Sequence, residues 1–160
     1  MLCTRRGATG RQAGVTILEM LVAIAVLLIL TSVTVPSARF AVKRQKELQL
    51  RRSLRDMRVA IDEYKKYCDV GAIPKEGVDS ECYPTELEML VEGVEKNGTV
   101  GQKLKFLRRI PFDPFTHSQE WGKRSYQDDW DSTSWGQENV YDVYTTYQGT
   151  ALDGTKYSDW

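Results

Sequence analysis

One carboxylate stands where its charge is expensive. In G-V-T-I-L-E-M-L-V-A-I-A-V-L-L-I-L, residues 14–30, Glu19 is the single ionisable side chain. A charge deep in hydrocarbon costs about 2.5–3.5 kcal/mol on insertion scales, so Glu19 calls for a cationic partner. Other residue types that do chemistry are sparse. His117 is the only histidine, in F-T-H-S-Q-E-W, and a lone imidazole there reads as a surface or hydrogen-bonded side chain. Asp128, Asp129 and Asp131 read as a solvated acidic loop. No G-x-S-x-G, phosphate loop or dinucleotide fingerprint is present, so the sequence predicts no enzyme. Three cysteines, Cys3, Cys68 and Cys82, lack the C-x-x-C spacing of a zinc site. If the basic leader is removed, Cys3 goes with it. Cys68 and Cys82 then either bond, closing a loop worth roughly 3 kcal/mol, or stay as two separate thiols.

The elements that would hold these groups follow from length and patterning. The chain has 160 residues, enough for about one domain. From Val15 to Val35, a run of 21 residues carries one charge, and as a helix it spans about 31 Å, close to the hydrocarbon core of a bilayer. Before it stand Arg5, Arg6 and Arg11 with no acid; without them 19 basic residues face 22 acidic ones, a balance that points away from a nucleic-acid partner. After Pro36, where the helix is expected to kink or loosen, a helical pattern resumes. Leu50, Leu54, Met57, Ile61, Tyr64 and Cys68 recur every three or four residues, one apolar stripe ending before Gly71 and Pro74. The stripe reads as the face under a soluble domain, with a coiled-coil seam as the second reading. Eight basic residues between Arg39 and Arg58, against Glu47 and Asp56, make either a solvated face that meets acidic neighbours or a lipid-headgroup contact.

The rest of the chain has weaker punctuation. Thr85 and Glu88 have capping-box spacing ahead of Leu87, Leu90, Val91 and Val94, predicting a short second helix. Asn97-Gly98 marks a turn. K-F-L-R-R-I-P-F-D-P-F, interrupted by prolines, should run extended or irregular. Strands are predicted around Gly122–Gln127 and Val140–Thr146.

The Gly14–Glu19 stretch, with its uninterrupted apolar run and Pro36, resembles the class III signal of type IV pilins and type II secretion pseudopilins. That resemblance implies cleavage by the prepilin peptidase between Gly14 and Val15, and methylation of the new terminus. It gives Glu19 its cation: the α-amino group of Val15, one turn away in the same chain or on a neighbouring subunit. Y-P-T-E-L-E-M-L-V-E-G, F-L-R-R-I-P-F-D-P-F, V-Y-D-V-Y-T and A-L-D-G-T-K-Y-S-D-W, in that order, are similar to the major pseudopilins of type II secretion. The resemblance implies an α+β fold: a long N-terminal hydrophobic helix as spine, and a small C-terminal globular domain of a short helix and a small antiparallel β-sheet. The expected segments are a prepilin leader (1–14), a transmembrane and assembly helix (15–35), its amphipathic continuation (36–70) and a periplasmic head (71–160).

The implied function is a structural subunit of a type II secretion pseudopilus, with a type IV pilin of a surface pilus as the alternative. Implied partners are further copies in a helical filament, the prepilin peptidase, the inner-membrane assembly platform and minor pseudopilins. The implied location is the bacterial inner membrane, crossed once, with the N-terminus cytoplasmic. Major pseudopilins of this kind hold calcium in the C-terminal loop; the carboxylates available for it here are Asp142, Asp153 and Asp159.

Overall fold

The computed structural model describes residues 14–77, 80–99 and 101–160, with the side chains of residues 33–37 left outside that description. The leader, residues 1–14, lies outside the described residues except for Gly14. The fold is α+β. Helix α1 runs over Ile17–Asp69, followed by α2 (Glu88–Glu92), four short strands and a 3₁₀ turn at Tyr157–Asp159. The chain divides into two compact units, Met1–Ala41 and Val42–Trp160.

Local chemistry sets both ends of α1. At the start, the Thr16 hydroxyl accepts the Glu19 backbone N–H at 3.2 Å, and Glu19 sits in the first turn, where the helix dipole favours an anion. At the end, Gly71 has φ +70, its N–H reaches the Cys68 carbonyl at 2.8 Å, and Ala72 N–H reaches the Tyr67 carbonyl at 2.9 Å. This is a Schellman closure, which needs a residue that tolerates the left-handed region. α1 continues through position 36, so the loosening expected at Pro36 falls on a residue whose side chain is outside the description.

In the second unit, the predicted stripe is the core. Leu50, Leu54, Met57, Ile61 and Tyr64 are each at most 1 % exposed, and Cys68 is buried beside them. Ile73, Leu90, Val140, Val143 and Tyr157 close over them. Each such apolar side chain contributes about 1.5–3 kcal/mol on burial, so the stripe is what fastens the small elements to α1.

Those elements differ in detail from expectation. The resemblance implies one small antiparallel sheet; among the described residues there are two, of two strands each. β1 (Val94–Glu95) pairs with β2 (Lys103–Leu104), and β3 (Gly122–Arg124) pairs with β4 (Asp142–Tyr144), both antiparallel. Gly122 lies opposite Tyr144, and a Cβ at 122 would run into that ring, which fixes glycine there. The capping box does not form. Leu87 takes the N-cap position of α2 in the helical region with no side-chain cap, and the Thr85 hydroxyl turns to the Met89 sulfur at 3.1 Å. The segment 105–120 is irregular, as its prolines require, and folds around buried Asp113, whose Oδ1 accepts the Phe115 N–H at 2.7 Å.

Candidate functional site

Two sets of residues stand out, one in each unit. In the first unit, Gly14 and Val15 are exposed and precede the helix. A Cβ built on Gly14 meets nothing among the described residues, so no packing described there asks for glycine. Glu19 is exposed, and apart from its N–H to Thr16 it has no partner among the described residues. Around it, Ile17 is 83 % exposed and Leu18 71 %, and the large apolar side chains onward to Leu30 are exposed as well. A helix with apolar side chains on every side and no core of its own is suited to lipid or to other helices. Among the described residues no helix is long and apolar enough to cross a membrane. The apolar stretch with described side chains ends at Ser32, and the rest of the expected span falls in residues 33–37.

In the second unit, α1 presents a row of polar side chains that grip residues 142–160. Buried Glu47 accepts the Leu152 N–H and the Tyr157 hydroxyl, each at 2.8 Å. Arg58 holds Asp142 through Nε at 2.6 Å and Nη2 at 3.2 Å, and also donates to the Trp160 main-chain oxygen at 2.6 Å. Arg51 pairs with Asp153 at 3.0 Å and lies 4.0 Å over the Trp160 ring. Lys43 reaches the Thr150 carbonyl at 2.7 Å. A charge-assisted hydrogen bond is worth about 1.5–3 kcal/mol, and the partly buried Arg58–Asp142 fork is the strongest of the set by geometry. The basic stretch is therefore only partly a solvated face: four of its eight cations are turned to the head, Lys46 by lying 5.6 Å from the Phe115 ring.

The three carboxylates weighed for calcium already have other occupations. Asp142 is held by Arg58, with Arg124 3.7 Å away. Asp153 Oδ1 accepts the Thr155 hydroxyl and N–H, and its Oδ2 faces Arg51. The Thr155 hydroxyl first, then its backbone N–H, hold the Asp153 carboxyl below its usual range. Asp159 takes the neighbouring Ser158 hydroxyl at 2.9 Å. Among the described residues, no three His, Cys, Asp or Glu side chains are grouped to hold a metal. As placed, the three aspartates do not fit a shared cation.

Cys68 and Cys82 are bonded, with Cα atoms 5.5 Å apart and a sequence separation of 14. The bond ties the last turn of α1 to the segment before α2. His117 is exposed, with φ +57, at the tip of the turn around Asp113.

Glu47 was missed by motif reasoning, yet it leaves a signal. It lies three residues before Leu50, in register with the apolar stripe, so an acid was due to be buried there. Asp113 and Arg124, both buried, leave no such local mark.

The comparisons bear on the first unit. A family model described as "Prokaryotic N-terminal methylation motif" matches residues 9–35, 27 of the 160 residues. The chain therefore carries a prepilin-like signal, which supports the type IV pilin-like family. Neither the curated proteins nor the solved structures gave a match.

Proposed function

We propose that the protein is a structural subunit of a type II secretion pseudopilus, a filament of identical chains that drives export of folded proteins. The observation that carries the proposal is the match of the methylation motif over residues 9–35, which contains both Gly14 and Glu19. The motif points to a pilin-like filament subunit rather than an enzyme. In this reading, prepilin peptidase cuts after Gly14, and residues 15–35 anchor the chain in the inner membrane. The exposed Glu19 then meets the cationic Val15 terminus of an adjacent subunit, which sets register as copies are added. An unpaired carboxylate in lipid would otherwise cost several kcal/mol. The head lies on the periplasmic side, an oxidising compartment that suits the Cys68–Cys82 bond.

The placement of that disulfide favours a pseudopilin over a surface pilin. Type IV pilins usually close a C-terminal loop with theirs, whereas here no cysteine follows Cys82. The tail is fastened instead by Glu47, Arg51 and Arg58.

Intact mass of the mature protein tests processing, with a start at Val15 expected and a start at Met1 rejecting it. Glu19→Ala should insert in the membrane but fail to form filaments; normal filaments from that variant would remove the pairing role. Deleting the gene separates the two filament classes. Loss of exoprotein secretion with twitching intact supports the pseudopilus, and the opposite pattern assigns the chain to a surface pilus.

A further inference from the structure

The outward side of α1 carries exposed side chains between Leu48 and Val59. Arg52 and Arg55 are exposed and make no ion pair among the described residues, and Leu48 and Val59 beside them are each 50 % exposed. Next to this face is a groove of about 560 Å³. Leu54, Val59 and the Trp160 ring give it apolar walls, and Arg51, Arg55 and Arg58 give it cations. Arg51 and Arg58 are already matched by Asp153 and Asp142, which leaves Arg55 as the cation of the lining without an ion pair among the described residues; Asp62 is the one acid among the described lining residues.

Elsewhere on the same unit is a side chain of complementary form. Trp130 is 80 % exposed, the most exposed large apolar side chain of the head among the described residues. It sits between Asp129 and Asp131, both exposed and without a side-chain partner among the described residues. The loop that carries it is fixed at its base, because Asp128 Oδ2 accepts the Ser125 N–H at 2.7 Å and the Gly136 N–H at 3.1 Å. An indole flanked by two carboxylates is thus presented on a braced loop, and an apolar groove with an unmatched arginine lies open on α1.

We infer that Asp129–Trp130–Asp131 of one copy docks in the α1 groove of a second copy, with the indole against Val59 and Trp160 and the aspartates facing Arg55 and Arg52. The occupant is a second copy because one chain carries both halves of opposite charge. Such a contact joins two different patches, so it is heterologous and repeats along an open helix rather than closing a dimer. A buried tryptophan with arginine is the usual make-up of an interface centre. The contact deepens the filament reading and rests on it for its setting.

The test is a photo-cross-link in the full chain, in membranes, with benzoylphenylalanine in place of Val59 and two differently tagged copies co-expressed. Ultraviolet light should join the two tags, with the adduct mapping to residues 126–136. Trp130→Ala or Arg55→Glu should each lower the yield about tenfold, the effect of about 1.4 kcal/mol. Asp129→Arg with Asp131→Arg should restore yield in the Arg55→Glu chain. Since Trp130 is exposed, Trp130→Ala should keep the wild-type melting temperature, which separates lost docking from lost folding. Normal filaments with no adduct between copies, or with adducts mapping only elsewhere, overturn this contact and leave the filament reading standing. The 126–136 adduct in a wild type that forms no filaments supports the contact and overturns the filament reading.

Discussion

Tyr157 donates its hydroxyl to the carboxylate of Glu47 at 2.8 Å, joining residues 110 apart in sequence in a buried setting. Tyr64, equally buried, has a hydroxyl with no hydrogen-bond partner among the described residues. The two phenols of one core therefore answer oppositely to the same change. Tyr157→Phe leaves Glu47 with the Leu152 N–H alone and should cost about 1–3 kcal/mol, the cost of an under-satisfied buried acceptor. Tyr64→Phe removes an unsatisfied polar atom and should be neutral or stabilise by up to about 1 kcal/mol. Urea melts of the chain in detergent decide it, and equal losses in both variants would contradict the assignment.

Alkaline pH should weaken the head through the same phenols. Burial, then repulsion from Glu76, pushes Tyr64 from 10.0 up to about 12. Burial, then its bond to Glu47, pushes Tyr157 up as well. Each keeps its proton in the folded state at a pH where the unfolded chain has lost it. Their contribution is complete below pH 10 and is lost as pH rises from there through the folded values. The slope is about 1.4 kcal/mol per pH unit for each tyrosine. A pH series of melting temperatures should stay level in this respect to about pH 10 and then fall, less steeply in Tyr157→Phe.

Reduction should destabilise the head without disturbing the anchor. Cys68 and Cys82 are 14 residues apart, and a loop of that size is worth about 3 kcal/mol in the chain-entropy model. Dithiothreitol, or Cys68→Ser with Cys82→Ser, should lower the melting temperature by roughly 10 °C. Membrane fractionation should be unchanged. A reduced chain that melts with the oxidised one would show that the bond constrains little.

Chelation should leave the melting temperature where it is, because Asp142 is taken by Arg58 and Asp153 by Thr155 and Arg51. A fall in EDTA that is reversed by calcium would mean that the tail rearranges to expose its carboxylates.

What was legible in the sequence was what repeats locally. Leu50, Leu54, Met57, Ile61, Tyr64 and Cys68 are written at helical spacing, and all are buried. Strands around 122–127 and 140–146 were readable, the second from its β-branched and aromatic residues; that Gly122–Arg124 and Asp142–Tyr144 pair with each other was not. The capping box at Thr85 and Glu88 misled, because residues in contact with a core take the backbone that packs best, and Leu87 is 2 % exposed. Glu47, Arg51 and Arg58 escaped attention as partners of the tail for a different reason. Their mates lie 84 to 110 residues on, and no local pattern encodes a distance of that kind.

The grip of α1 on residues 142–160 also sets a clock. The ribosome makes Glu47 long before Tyr157, and at about 5–20 residues per second the interval is roughly 5 to 20 seconds. Over that time the carboxylate waits bare and the lower part of the stripe lacks its lid. Helix α1 is complete much earlier, so its apolar start is available for insertion while the head is unfinished. The contacts that cover Glu47 therefore form after α1 itself, because Leu152 and Tyr157 are made 105 and 110 residues later.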